Sequence, residues 1–476
     1  MGLRAPNLTG VAWVFFLICV LGFLGCAEEE RKGSAPDVLL VTLDTLRSDW
    51  VQAYGFAHAN TPSMDGLASR GVLFENAIAA ASLTAPSHAS VMTGRYVREH
   101  SVGTLNGESR LEGLGTLAER FEASGYETAA FISNVVLRRR TGLDRGFDVY
   151  DDNLGESEAN RPAYFERRAQ ETVEQALAWL AEQDVERPVF VWLHLQDPHG
   201  PYEPPEGFEG RIGSVPLRMR GDLPVLSRNQ GQAGIPAYQE ITDVRDPAIY
   251  AGRYAEEIMY SDFWLGRFID AFESHSAARG SVILLTADHG ESLGEHGFFF
   301  QHGQSVLPEL VRVPLIVVAP GISPGRVPDL VSHVDVAPTL LDLAGLPGLS
   351  DPSGLSLSPL LVGESLSEVR EVFSDTEGES ALYGPDRMTR VLGPGLATRG
   401  ATSAGPLRSE SLTRREDGAW RPVPTDAEAL ERISAYLGEA VPPAMVGAMA
   451  PEHIEQLRAL GYLDPEVETD PEPDGP

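Results

Sequence analysis

The sequence predicts an α/β protein: a doubly wound, mostly parallel sheet flanked by helices, with a small C-terminal subdomain. Three observations carry that expectation. Short apolar runs of the kind buried in parallel strands alternate with stretches of helical periodicity. The order strand, helix, strand repeats through most of the chain, as crossover connections between parallel strands require. Acids, histidines and hydroxyls gather where strands give way to loops, which is where an open α/β sheet builds a site.

The elements follow in order. Residues 1–26 read as an export leader: one Arg, an apolar block Val11–Gly25 and then Cys26. The block falls short of the roughly 20 apolar residues that a comfortable spanning helix needs. Its Leu-Gly-Cys ending resembles a bacterial lipoprotein signal, with Cys26 the lipidated residue; simple cleavage or an uncleaved anchor are the alternatives. The expected location is the bacterial cell envelope, exported and anchored to the membrane, with residues 27–36 as a polar tether. Both cysteines, Cys19 and Cys26, lie in this leader, so the chemistry of the remaining chain must come from oxygen and nitrogen.

A catalytic domain is expected over residues 37–362. Val38–Leu43 reads as a buried strand with Asp44 directly after it. Thr61-Pro62 opens a short helix that stops at Gly71. Pro86 fits the first turn of a helix running to about Gly94, which puts Thr84 just ahead of a helix N-terminus. Leu114–Ser124 is helical with Gly125 as its cap, and Glu127–Ser133 is the next strand. Ala163–Gln183 alternates charged and apolar residues at helical spacing. Val189–Leu195 is a strand with His194 near its end, Gly207–Asp246 a long insertion near the site, and Ala248–Phe272 a long helix. Val282–Thr286 and Val313–Ala319 are further core strands. Residues 363–463 form the smaller subdomain, with loops over Gly393–Arg408 and helices over Asp426–Leu437 and Pro451–Leu460. Residues 464–476 are an acidic, proline-rich tail expected to be disordered.

The formal net charge of −32 excludes nucleic acid as a partner, because phosphate repulsion opposes binding. It also serves plain solubility. Asp44, Thr84, Asp288 and His289 make a set of hard-to-borderline ligands for a divalent metal. Beside such an ion and a helix N-terminus, the Thr84 hydroxyl can ionise and attack an ester; the plain alternative is an ordinary helix cap. Asp288-His289 closes a strand and is followed by Glu291, Glu295, His296 and His302, a richer ligand mix than a solvated surface turn gathers. His194, Asp197 and His199 lie at the end of another strand, as candidates for a second metal or for protonating a leaving oxygen. The residues point to a metal-dependent hydrolase or transferase.

The phrases VLLVTLDTLRSD, SLTAPSHASVMTGRY, LAERFEASGYETAAFIS, HLQDPHGPYEPP, TADHGESLGEHG, LVRVPLIVVAPG and SHVDVAPTLLDLAGL resemble the sulfatase family of the alkaline phosphatase superfamily over about residues 37–363. A sulfatase carries Cys or Ser at the position of Thr84, oxidised to formylglycine; threonine cannot give that aldehyde, so no formylglycine is expected. The Arg ending that motif is His88 here, the Lys expected after Gly125-Tyr126 is missing with Asn134 near its place, and a second Lys is replaced by His302. This pattern is similar to threonine-nucleophile relatives such as phosphoethanolamine transferases and phosphodiesterases. The resemblance implies a catalytic Thr84 with His199 and His302, and a metal on Asp44, Thr84, Asp288 and His289. It also implies a second metal near Asp197, His199 and His302, and His88, His194 and His296 about the substrate. One or two divalent ions (Zn, Mn, Mg or Ca) are expected, acting on a small-molecule or lipid-linked phosphate ester. The alternatives are a sulfatase working without formylglycine and an inactive, ligand-binding member of the family.

Overall fold

The computed structural model describes residues 1–2, 35–103, 109–155, 166–219, 221–227, 231–366, 368–393, 408–415 and 418–438. The leader with Cys26, nearly all of the tether, the expected helix Pro451–Leu460 and the acidic tail lie outside the described residues.

The first ten strands are β1 (Asp37–Leu43), β2 (Val72–Ile78), β3 (Glu127–Phe131), β4 (Val149–Asp151), β5 (Val189–Leu195), β6 (Ser281–Ala287), β7 (Ser292–Leu293), β8 (Phe299–Gln301), β9 (Arg312–Val318) and β10 (Gly325–Ser332). Eight of them form one sheet in the order β10-β2-β9-β6-β1-β5-β3-β4, and β7 with β8 makes a separate ribbon. Neighbours run parallel except where β9 pairs with β2 and β6. The reversal has a simple cause. After β6 the chain stays at the carboxyl edge of the sheet through the ribbon, so the next strand must run back. The central strands β1 and β5 are wholly buried, as their unbroken apolar runs require.

The helices of seven or more residues among the described residues are α1 (Pro62–Arg70), α2 (Thr84–Thr93), α3 (Leu117–Ala123), α4 (Ala169–Ala181), α5 (Pro247–His275), α6 (Val336–Leu343) and α7 (Ala427–Gly438). No helix of the described residues is long and apolar enough to cross a membrane. Long α5 pins α1: the Asp262 carboxylate accepts from the backbone N–H groups of Ser63 and Met64, at 3.0 and 2.8 Å.

The C-terminal subdomain departs from the expectation of loops and helices. It is a five-stranded antiparallel sheet of β11 (Val372–Asp375), β12 (Glu379–Tyr383), β13 (Arg387–Leu392), β14 (Arg408–Arg414) and β15 (Trp420–Val423) in chain order. Helix α7 packs Ile433 and Leu437 against Leu382 and Val391 on one face. The other face mixes buried apolar residues such as Ala381, Tyr383 and Met388 with Glu379 and Arg390, and these polar positions hid the strands. The turn between β11 and β12 reaches back to two loops of the larger sheet. Asp375 N–H donates to Ala80 O at 2.9 Å, Thr376 Oγ1 donates to Gly303 O, and Ser305 Oγ donates to Glu379 at 2.7 Å. Those two loops lead to Thr84 and from His302.

Candidate active site

The register of three neighbouring strands builds the site. Leu43 of β1 stands beside Leu195 of β5 and Ala287 of β6, so all three strands end at one level. Asp44 and Asp288 follow at once, and the ladder holds them: Asp44 N–H donates to Leu195 O at 2.9 Å and Asp288 N–H to Leu43 O at 3.2 Å. His194 is the next-to-last residue of β5. Thr84 opens α2, whose ten residues are all buried, with Leu83 as the extended residue before it. The helix thus begins at Thr84 itself rather than just after it, with Pro86 in its first turn as expected. Gly94 closes α2 in the left-handed region, where its φ of 67° suits glycine.

Hydrogen bonds fix how these groups face. The Asp44 carboxylate accepts from Asn134 Nδ2 at 2.7 Å through one oxygen. Asp288 accepts from the backbone N–H groups of Thr45, at 3.1 Å, and His289, at 2.7 Å, through one oxygen. The second oxygen of each carboxylate, Asp44 Oδ1 and Asp288 Oδ2, is buried with no hydrogen-bond partner. His289 Nδ1 donates to Gly290 O at 3.0 Å, so its Nε2 presents a lone pair. That nitrogen lies 3.3 Å from Thr84 Oγ1, 3.5 Å from Asp288 Oδ2 and 3.8 Å from Asp44 Oδ1. A lone pair and two orphaned carboxylate oxygens converging in a dry pocket repel one another unless a cation sits among them. The ligand-forming atoms of Asp44, Asp288 and His289 all lie within 4.8 Å of one another. The donor set fits a divalent ion.

Electrostatics say the same. Burial, and then the charge of Asp288, push the Asp44 carboxyl well above the usual carboxylate range. Burial opposes ionisation of Asp288 too, but His289, His88 and His194 outweigh it and hold that group at about 2. One member of the pair is therefore protonated until a cation arrives. Burial lowers His289 to about 4 and carries His194 and His199 well below the usual imidazole value, with neighbouring imidazoles adding to the effect. These rings are neutral, the state that ligates metals.

The structure brings most of the expected residues together and sets three aside. His199 and His302 lie against the cluster, with ring centres 5.1 Å apart and His302 4.5 Å from the His289 ring. His194 Nε2 faces Asp44 at 3.7 Å. His88 is different. Its Nδ1 donates to Thr84 O at 2.8 Å and its Nε2 accepts from Thr42 Oγ1 at 3.0 Å, so both nitrogens are spent bracing the start of α2 rather than facing a substrate. Asp197 turns away from a second ion: it accepts from Ala169 N–H at 2.8 Å, at the head of α4, and pairs with Arg168 at 3.7 Å. His296 is 52% exposed and faces Glu309 instead of the cluster.

Three residues outside the expected catalytic, substrate and metal sets take their places there. Asn134 steers Asp44. Glu291, fully buried, accepts from Tyr202 O–H at 3.1 Å and turns its other oxygen to His302 Nδ1 at 3.4 Å. Arg47 ties the loop after β1 to the Glu291 segment, donating to Glu291 O at 3.0 Å. An Asn near the place of a lost Lys, and a Glu two residues after an Asp-His pair, were the available signals.

Residues 36–346 match the family model described as Sulfatase. The chain belongs to the sulfatase family. That family lies in the alkaline phosphatase superfamily, and its enzymes are metal-dependent hydrolases. A Delta 4,5-hexuronate-2-O-sulfatase of Bacteroides thetaiotaomicron is 28% identical over 401 residues, covering 78% of this chain and 81% of that one. Arylsulfatase K of Rattus norvegicus is 28% identical over 402 residues, covering 74% of this chain and 68% of that one. Among solved structures, a phosphonate monoester hydrolase from Silicibacter pomeroyi superposes with a TM-score of 0.64 at 21% identity, covering 84% of this chain and 94% of that one. The last likeness shows the shared fold.

Proposed function

We propose that this chain is a metal-dependent hydrolase or phosphotransferase whose Thr84 hydroxyl attacks a phosphate ester. The observation that carries this reading is the position of Thr84 Oγ1: fully buried, on the first residue of α2, and 3.3 Å from His289 Nε2 beside two orphaned carboxylate oxygens. A divalent ion held by Asp44, Asp288 and His289 would lower the pKa of that hydroxyl and offset charge on the phosphoryl group. The Thr84 O–P bond forms as the bond to the leaving alcohol breaks, and the proton that the Thr84 hydroxyl loses passes to the imidazole pair His199 and His302 and from there to the alcohol oxygen. Water, or an acceptor alcohol, then attacks phosphorus and releases Thr84. Asn134 and the Thr45 amide keep the two aspartates aimed while this happens.

Metal content and hydrolysis of p-nitrophenyl phosphate, bis-p-nitrophenyl phosphate and p-nitrophenyl sulfate test the reading. Thr84→Ala should lose at least about a thousandfold in kcat with its melting temperature kept, and Thr84→Ser should keep measurable turnover. Full activity in Thr84→Ala would end this mechanism. A second reading, a sulfate-ester hydrolase without formylglycine, draws on the 28% identity to a hexuronate-2-O-sulfatase. Cleavage of the sulfate ester alone among the three substrates would select it. The leader ending in Cys26 supports anchoring at the bacterial cell envelope, where a small-molecule or lipid-linked ester would be met.

A further inference from the structure

Thr84 and His302 stand beside loops of different origin. Residues 79–83 join β2 to α2, and residues 302–307 lead from β8 back toward β9. Neither loop belongs to the ladder that levels Asp44 with Asp288, so their spacing has another cause. The chain neighbours of the two side chains meet: Gly303, with a φ of 82°, packs so closely that a methyl group on it would stand 2.6 Å from Leu83 Cδ2.

The turn between β11 and β12 of the C-terminal sheet holds both loops from outside. On the Thr84 side, Asp375 bridges Ala81 in parallel and its N–H donates to Ala80 O at 2.9 Å. Ser87 Oγ donates to Ala81 O at 2.9 Å, which carries the restraint into the helix that Thr84 opens. On the His302 side, the buried Thr376 hydroxyl donates to Gly303 O. The Glu379 carboxylate accepts from Ser305 Oγ at 2.7 Å and from Val306 N–H at 3.1 Å, and Arg390 braces it at 2.7 Å. Tyr383 O–H donates to Val306 O at 2.7 Å.

We propose that this turn is a positioning element of the active site, in which Thr376 and Glu379 set His302 against Thr84. The inference rests on the reading in which Thr84 attacks and the imidazole pair passes the proton to the leaving alcohol. Proton transfer needs heavy-atom distances of about 2.6–3.2 Å, so a displacement of His302 by about 1 Å costs tenfold or more in rate. Asp44, Asp288 and His289 stand at the ends of the strand ladder instead. The clamp therefore acts on proton transfer and leaves metal binding alone.

Thr376→Val keeps the side-chain shape and deletes the bond to Gly303 O. In the metal-loaded protein it should lower kcat/KM about tenfold more for a phenyl ester than for the corresponding p-nitrophenyl ester, because phenolate needs the proton and p-nitrophenolate hardly does. Glu379→Ala should act in the same direction, and Thr376→Ser should restore the ratio of the unaltered protein. Metal content should stay unchanged, and amide hydrogen exchange should rise over residues 303–306. A merely structural loss would lower turnover of both esters alike. An unchanged ester ratio in both Thr376→Val and Glu379→Ala would overturn the proposal, as would unchanged exchange over residues 303–306. His302→Ala is the reference. A ratio that moves there but not in Thr376→Val removes the positioning role alone; one that moves in neither removes the acid role of the imidazole, and the proposal with it.

Discussion

Replacing Asp44 by Asn should stabilise the metal-free protein and destabilise the metal-loaded one. Without an ion, Asp44 and Asp288 share one dry pocket, and the cost shows in the raised pKa of Asp44. The amide introduced by Asp44→Asn would keep an oxygen to accept from Asn134 Nδ2, a bond now 2.7 Å long, while the charge disappears. The apo protein should therefore melt higher. With metal the balance reverses. An ion present at 100 times its dissociation constant stabilises the folded state by about 2.7 kcal/mol, and a variant with hundredfold weaker affinity retains only about 0.4 kcal/mol of that. An unfolding entropy of roughly 2.1 cal/mol/K per residue over the roughly 370 described residues gives about 0.8 kcal/mol/K, so the loss corresponds to about 3 °C. Thermal scans in EDTA and after adding Zn or Mn would measure both arms. The reasoning is refuted if the Asn variant melts below the parent in EDTA, or if added metal raises both by the same amount.

Further outcomes are expected away from the ion. Burial holds His100 neutral by lowering its pKa from 6.5 to about 3. A depressed imidazole gives stability that is present above pH 6.5 and lost as pH falls toward 3, at about 1.4 kcal/mol per unit. His100→Gln should thus lose about 2 kcal/mol less than the parent between pH 7 and pH 5 in urea unfolding; parallel curves would contradict this. Tyr436→Phe removes the O–H that Asp375 accepts in a fully buried contact, and should cost about 2 kcal/mol in the same assay. A loss below about 0.5 kcal/mol would show that Arg98, 3.9 Å from Asp375, compensates.

Much of this protein was legible before any coordinates. Apolar runs such as Val38–Leu43 and Val189–Leu195 are wholly buried strands because only the middle of a parallel sheet hides both faces of a strand. That Asp44, Thr84, Asp288 and His289 gather at strand and helix ends was readable too, since each follows a recognisable strand or opens a helix. Strands β2 and β10 were missed because Glu75, Asn76, Pro328 and Asp329 interrupt their apolar pattern. Their polar groups find partners only in the fold, as when the Glu75 carboxylate accepts from Arg326 Nε at 2.7 Å. The C-terminal sheet was missed for a related reason: its strands are short and polar residues such as Arg390, Glu410 and Arg414 break their apolar pattern, although each strand pairs with its neighbour in the chain.

What tertiary structure alone decided is which of several chemically suitable side chains reach the same point. His88, Asp197 and His296 carry the right atoms, yet two are consumed by local hydrogen bonds and the third faces outward. Asn134 and Glu291, marked in the sequence only as standing near a lost Lys and as part of a ligand-rich loop, reach the centre because β3 and β6 run parallel to β5 and β1 toward the same edge of the sheet. Sequence determines the residue types available and the strand ends that display them, because periodicity and local propensity act over a few residues. The register of strands far apart in the chain is a long-range property, and it alone fixes the few ångströms on which ligation and charge balance depend.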